Sequence, residues 1–390
     1  MLTLQSQKPA RVVREFIPLS EVMAEPSVDV CLRYCGLATE LFISIRPRAS
    51  GDLPARAATL MDAAAAILRQ HQAAILQERI FAHPSAIEAL ARARAHSFGP
   101  LQDPVEPTWL AVPENACGPI SGIQIHAVTG CGIPTVLSIA GRPCGRLLCK
   151  GPLQYLVGCN LQADTPQAPA CQARSMLDKS EQLLTRAGGT LSDVARTWMW
   201  LGNILDWYGD FNRVRREMFA ARGLLRPDAT GNLPASTGIG IGPAGQQCCA
   251  MDFCATLGQV RPRFLLAASR QGPASKYGSA FSRAAVADTP AGKTVYVSGT
   301  AAIDASGQTT HLDDPRGQIE DTIRNVRSVL RDAGSGEQDV VQAVVYCKDA
   351  RVEQLFRREY GDLPMPYVLA IADVCRPNLL FEIEVTAMPQ

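Results

Sequence analysis

The sequence predicts an α+β protein built from three tandem copies of one domain, and three observations carry that prediction. The first is a gap-free internal repeat. Gln172–Trp200 and Gln318–Tyr346 run in step from an opening Gln to Ala187-Gly188 and Ala333-Gly334, then to Asp193-Val194 and Asp339-Val340, and each closes on an aromatic residue. The second is a change of period inside each copy. Ile319, Ile323, Val326 and Leu330 recur at helical spacing, matched by Met176, Leu183 and Leu184, while the stretch after each Asp-Val is a β-branched or aromatic run. The third is length: 390 residues are long for one core and divide without remainder into units of about 130, an ordinary domain size. Boundaries are expected near 130 and 260, giving units 1–130, 131–260 and 261–390.

Each element has its own signal. Gly188 and Gly334 supply C-caps after the first helix of their copies, and Asp-Val opens a strand that packs back on that helix. A second helix follows over Asp210–Phe219 and Val352–Tyr360, where Arg215-Arg216-Glu217 and Arg357-Arg358-Glu359 correspond. Turns at Leu233-Pro234 and Leu363–Pro366 lead to further strands. An upstream copy is more worn: Leu60, Met61, Ala64 and Leu68 form the helix face, Ile75–Phe81 the strand, Ala86–His96 the second helix and Gly122–Val128 the last strand. Phe81 falls where Trp200 and Tyr346 fall. Hairpin strands are expected at Glu40–Ile45, Leu147–Asn160 and Thr294–Gly299. The three units should superpose about a pseudo-threefold axis, with sheets inward and helices outside.

Composition removes several function classes. A formal net charge of +1 gives no basic stripe for nucleic acid. No apolar run approaches membrane-spanning length, and Met1–Lys8 lacks a signal-peptide layout, so the cytosol is the expected location. The thirteen cysteines include no CxxC pair and no histidine at zinc-ligand spacing, which predicts reduced thiols, no metal and no cofactor. Gly238-Ile-Gly-Ile-Gly has the wrong spacing for a phosphate loop.

The last strands differ where chemistry could sit. They read Gln124-Ile-His126, Ala250-Met-Asp252 and Glu382-Ile-Glu384, so Gln124, Ala250 and Glu382 are taken as one repeat position. Residues i and i+2 share a strand face, which points Glu382 and Glu384 together. Two neighbouring carboxylates raise each other's pKa, as a general acid near neutral pH requires. The alternative is a solvated strand face.

The order Ser298-Gly299, Gln318, Thr322, Asn325, Leu330, Ala333-Gly334, Asp339-Val340-Val341 and Glu382-Ile383-Glu384 resembles the RidA/YjgF superfamily. The resemblance is close in copies two and three and weak in copy one. It implies a chorismate-mutase-like α+β fold, small-molecule clefts between units, and here a single-chain pseudo-trimer, monomeric or in a higher oligomer. Family members that deaminate imines carry an Arg in a Pro-Ala-Arg-Ser turn. The matching turns here, Pro234-Ala235-Ser236-Thr237, Pro107-Thr108-Trp109 and Pro366-Tyr367-Val368, have none.

Chorismatases are RidA-like proteins without that Arg. They are similar to this chain at Lys276-Tyr-Gly, Phe281-Ser-Arg-Ala284, Val297-Ser-Gly-Thr-Ala301, Arg196-Thr-Trp198 and Asp373–Glu384. Asp206–Arg215 and the N-terminal third depart from the pattern. The likeness implies Glu382 as the catalytic acid, with Cys375 seven residues earlier marking the branch that makes 3-hydroxybenzoate. By motif Arg376 and Arg283 stand nearest the site as partners for a carboxylated small-molecule substrate, a structural ion pair being the alternative for Arg283. Ser298 and the Gly299 backbone are candidate hydrogen-bond partners, a bulge or turn being the alternative for Gly299, and Glu384 shares the strand face. The trimer logic adds Asn212 and Arg216 from the second unit, with a solvated helix surface as the alternative for at least one of Arg213, Arg215 and Arg216. The expected activity is cofactor-free cleavage of an enolpyruvyl ether to hydroxybenzoate and pyruvate. An imine or enamine hydrolase, or a rearrangement enzyme, is the second reading. A non-catalytic ligand-binding or chaperone-like protein is the third.

Overall fold

In the computed structural model, residues 11–15, 26–47, 51–226 and 231–390 are described. The chain folds into three sheets in sequence, of seven, six and six strands. In the third sheet the order is Arg263–Leu265, Ala284–Thr289, Gly292–Ala301, Phe381–Ala387, Val340–Cys347, Tyr367–Ile371. The last strand of the unit is thus inserted at its centre, antiparallel to both neighbours. The other two sheets repeat this plan, with Ile120–Thr129 and Cys249–Leu257 in the central place. The first sheet adds Arg11–Glu15 at one edge and borrows the two-residue strand Gly242–Pro243 at the other.

Two helices cover each sheet: α1 (Leu53–Gln70) and α2 (Pro84–Phe98), α3 (Pro169–Arg186) and α4 (Ile204–Ala221), α5 (Pro315–Asp332) and α6 (Ala350–Tyr360). Their apolar stripes explain them. Leu60, Met61, Ala64 and Leu68 of α1, Met176, Leu183 and Leu184 of α3, and Ile319, Ile323, Val326 and Leu330 of α5 are all buried against their own sheets. The helices α3 and α5 stop where Gly188 and Gly334 enter left-handed backbone at φ of 79° and 84°. In the first unit Gln72 does this at φ 49°, without the ease of glycine, as expected of a worn copy. Asp193 and Asp339 each end a single 3-10 turn, accepting the Thr190 and Gly336 amides at 2.8 Å, and the strand begins one residue later.

The opposite sheet faces meet in a shared central core. Phe81, Trp200 and Tyr346 lie in it together, all fully buried, with Phe81 and Trp200 edge-to-face at 5.9 Å. The sheets therefore face inward and the helices outward around a pseudo-threefold axis. The same bulge recurs in all three units, at Ile75/Gln77, Val194/Arg196 and Val340/Gln342.

The register corrects one expectation. Tyr346 pairs with Glu382 and Trp200 with Ala250, but Phe81 pairs with Gly122. Gly122, not Gln124, is the first unit's counterpart of Glu382, and Gln124 corresponds to Asp252 and Glu384. The stretch between the two paired residues differs in length in every unit, so the cross-strand register, not counting along the chain, identifies the counterpart. No helix among the described residues is long and apolar enough to cross a membrane.

Candidate active site between the second and third units

Glu382 is almost wholly buried, on the central strand of the third sheet, with its carboxyl against the backbone of Gly299. A Cβ at Gly299 would come well inside contact distance of Glu382 Oε1, so any side chain there would force the carboxyl to move. Burial pushes the Glu382 carboxyl up to about 8; the neighbouring Glu384 adds to the rise, and Arg196 and Arg283 oppose it. The group therefore holds its proton at neutral pH.

A cleft of about 680 Å³ opens beside it, lined by Tyr208, Asn212 and Arg216 of α4 and by Tyr277, Cys375 and Arg376 of the third unit. Cys375 lies between this cleft and the acid. Burial, then the proximity of Glu382, push its thiol up to about 12, so it stands there as a neutral SH. Tyr208 is raised to about 12 by burial and stays a neutral phenol.

Three arginines converge on this region without a carboxylate partner among the described residues. Arg283 spends Nε and Nη2 on the Gly272 carbonyl, and Arg376 donates to the Gly307 carbonyl at 2.9 Å. Their guanidinium groups lie over the Tyr277 ring, 5.5 and 4.7 Å from its centre. The third, Arg215, is buried between the Phe211 and Phe281 rings; it bonds Asn212 at 2.7 Å and leaves a buried Nε–H without a partner. Burial lowers its proton affinity, as expected of a cation held away from water.

The sequence reading did not select Arg215, yet a signal for it exists. The second helices of all three units carry an inward arginine. Arg94 is held bidentately by Glu78, and Arg357 by Glu353 one turn earlier at 2.7 Å. One turn before Arg215 the residue is Phe211. Arg215 is thus a buried cation without the helical carboxylate that Arg357 has.

Other selected residues fall differently. Glu384 shares the strand face of Glu382, but Arg196 Nη2 holds Oε2 at 2.7 Å and Trp198 Nε1 holds Oε1 at 2.9 Å. It is an ion-paired scaffold group rather than a free ligand contact. Ser298 donates its hydroxyl hydrogen to the Ser282 carbonyl and accepts the Ser236 amide, tying the two units together instead of facing the cleft. Asn212 reaches the cleft but also orients Arg215, and Arg216 is exposed along its rim.

The two equivalent boundaries carry other contacts in this place. Between the first and second units, Arg146 is buried and holds Asp103 by two bonds of 2.6 and 2.7 Å. Between the third and first, Gly122 lies so near Val368 and the Ile45 carbonyl that an added Cβ would meet them at 3.0 and 2.7 Å.

Residues 274–389 match the family model described as Endoribonuclease L-PSP. The third unit is a RidA-like domain. The whole chain has the fold of a solved chorismatase, aligned over 81% of this chain and 93% of that one with 19% identity and a TM-score of 0.58. Single-unit structures are similar to a third of it. Yeast Mmf1 covers 33% of this chain and 99% of its own at 19% identity and a TM-score of 0.26. A Mycobacterium tuberculosis member of the YjgF/YER057c/UK114 family covers 32% and 98% at 23% identity and a TM-score of 0.25. The three sheets share one strand plan, and the likeness to the solved chorismatase spans them at the level of fold.

Proposed function

We propose that the protein is a cofactor-free enzyme that protonates the enol-ether carbon of a small carboxylated substrate with Glu382. Its most concrete form is chorismatase-like cleavage of an enolpyruvyl ether to hydroxybenzoate and pyruvate. The observation that carries this reading is a buried carboxyl with its proton affinity raised to about 8, near a cleft lined by Cys375 and Arg376, with Arg215 and Arg283 close by and none of these three arginines in a carboxylate pair among the described residues. The acid supplies a proton; Arg215, Arg283 and Arg376 supply the charge that a carboxylated substrate would neutralise.

In this mechanism the Glu382 proton passes to the terminal methylene carbon, and positive charge develops at the ether-bearing carbon. Water attacks that carbon and gives one hydrogen to the Glu382 carboxylate, restoring the acid. The second hydrogen passes from the new hydroxyl to the original ether oxygen as the bond between that oxygen and the carbon breaks, which releases pyruvate and a dihydroxylated ring that loses water to become hydroxybenzoate. Tyr208 and Cys375, both neutral, donate hydrogen bonds without competing as bases. The chorismatase fold supports the reading at the level of architecture.

Incubation with chorismate, following pyruvate and hydroxybenzoate together, is the test. Equal amounts of both support the proposal. Absence of pyruvate at high enzyme concentration rejects the enolpyruvyl substrate.

A further inference from the structure

Behind Glu382, away from the cleft, a buried polar cluster draws on all three units: Arg79 from the first, Arg196 and Trp198 from the second, Glu384 from the third. The side chains of Arg79, Arg196 and Glu384 are at most 5% exposed. Arg196 Nη2 donates to Glu384 Oε2 at 2.7 Å and to Thr237 Oγ1 at 2.5 Å. Arg79 Nη1 lies 3.6 Å from Glu384 Oε1, the oxygen that Trp198 also holds. Thr237 Oγ1 accepts the Gly299 amide at 3.0 Å, and Gly299 is the backbone against which the Glu382 carboxyl rests.

We infer that Arg196 is a positioning residue for Glu382: it pins Glu384 as a fixed charge and secures the Thr237–Gly299 wall, so that the second unit sets the acid of the third. This rests on the reading of Glu382 as the proton donor. Two physical effects run through one guanidinium. It sets how much of the Glu384 charge Glu382 feels, and it holds the surface that limits where the Glu382 carboxyl can sit. The charged and titratable groups facing Glu382 are Glu384 on its own strand, Tyr346 on the paired strand, Arg196 across the unit boundary, and Arg283 and Cys375 from the loops. Arg79 acts one step further out, through Glu384.

The two ends of the pair act in opposite directions. Glu384→Gln removes a like charge and leaves two arginines, so the Glu382 midpoint should fall. Arg196→Met removes a cation and leaves Glu384 less compensated, so the midpoint should rise. Nearby charges move a carboxylate by about one to three units; each single variant should move it by about one unit or more. The double variant Arg196→Met/Glu384→Gln removes a neutral pair, and its midpoint should return toward wild type. Thr237→Val should lower kcat without moving the midpoint, because it loosens the wall and changes no charge.

The experiment is an infrared titration of the Glu382 carboxyl, using Glu382→Gln as the blank, beside the pH profile of kcat/KM. Opposite displacements in the singles and recovery in the double support the inference. Unchanged midpoints in both singles, or a double displaced as far as Arg196→Met, overturn it. Should Arg196→Met fail to fold, Glu384→Gln and the double, in which Arg79 keeps its hydrogen bond to Gln342, still decide the matter. A wild-type Glu382 titrating at the ordinary value of about 4.3 would reject the proposed function instead, a separate and recognisable result.

Discussion

Tyr346 and Glu382 face each other across an antiparallel pair, and the same register sets Trp200 opposite Ala250 and Phe81 opposite Gly122. The aromatic partner persists because all three rings build the central core. The facing position does not persist: carboxyl, methyl and hydrogen occupy it in turn.

The first prediction follows from that contrast. Glu382→Gln keeps the shape of the side chain and removes the transferable proton. Loss of a positioned acid costs about 10²–10⁴-fold in rate, so kcat should collapse by that factor while ligand binding survives. Calorimetric binding of a substrate analogue to both proteins checks it. Retention of near-full turnover would remove Glu382 from the mechanism.

The second prediction concerns pH. An acid with a midpoint of about 8 is active below it, so kcat should be level through neutrality and fall tenfold per unit above. Stability follows the same group. A carboxyl whose folded midpoint lies above its unfolded one binds more protons when folded. The stability this contributes is fully present below the unfolded value and is lost as pH rises toward about 8. The slope is at most about 1.4 kcal/mol per pH unit. Urea unfolding from pH 5 to 8 should show this decline in wild type and a flatter profile in Glu382→Gln. Parallel profiles would mean that the carboxyl is not desolvated.

These relationships were unequally legible in the sequence. Helix faces, caps and the Asp-Val strand starts repeat at fixed intervals, because period and backbone conformation constrain them locally. The slip at Gln124 has the opposite origin. Only the cross-strand partner Phe81 fixes that register, because the stretch between the aromatic residue and the last strand differs in length from unit to unit. The commitment of Glu384 was hidden because Arg196 lies 188 residues away in the chain. Arg215 was readable in principle from Phe211 standing where Glu353 stands, but only by comparing second helices turn by turn.

The third prediction uses that comparison. Arg215→Met replaces a buried cation that lacks a carboxylate with a side chain of similar length. A hydrogen-bonded charge contributes about 1.5–3 kcal/mol, so KM for a carboxylated substrate should rise about 10- to 100-fold. Folding stability should hold or increase, since an uncompensated buried charge is removed. Arg357→Met, at the paired position, should instead destabilise the protein and leave KM alone, because Glu353 would lose its partner. If both variants lost stability equally with KM unchanged, Arg215 would be a scaffold residue.

The last prediction concerns the boundary between the first and second units. Arg146 is buried and donates to Asp103 at 2.6 and 2.7 Å, to the Leu76 carbonyl at 3.2 Å and to the Val105 carbonyl at 3.0 Å. It therefore ties a loop and a strand of the first unit to the sheet of the second. In Arg146→Met, Asp103 can hydrate because its side chain is 31% exposed. The two carbonyls cannot hydrate as readily. Unsatisfied buried groups cost about 1–3 kcal/mol each, and a broken buried pair about 3–5 kcal/mol, so a loss of roughly 3 kcal/mol is expected in urea unfolding. Turnover should be unaffected at temperatures where the variant is folded, since Glu382, Arg215 and Cys375 belong to the other boundary. A tenfold fall in kcat/KM with the fold intact would show that the two boundaries communicate, and the assignment of catalysis to one boundary alone would have to be abandoned.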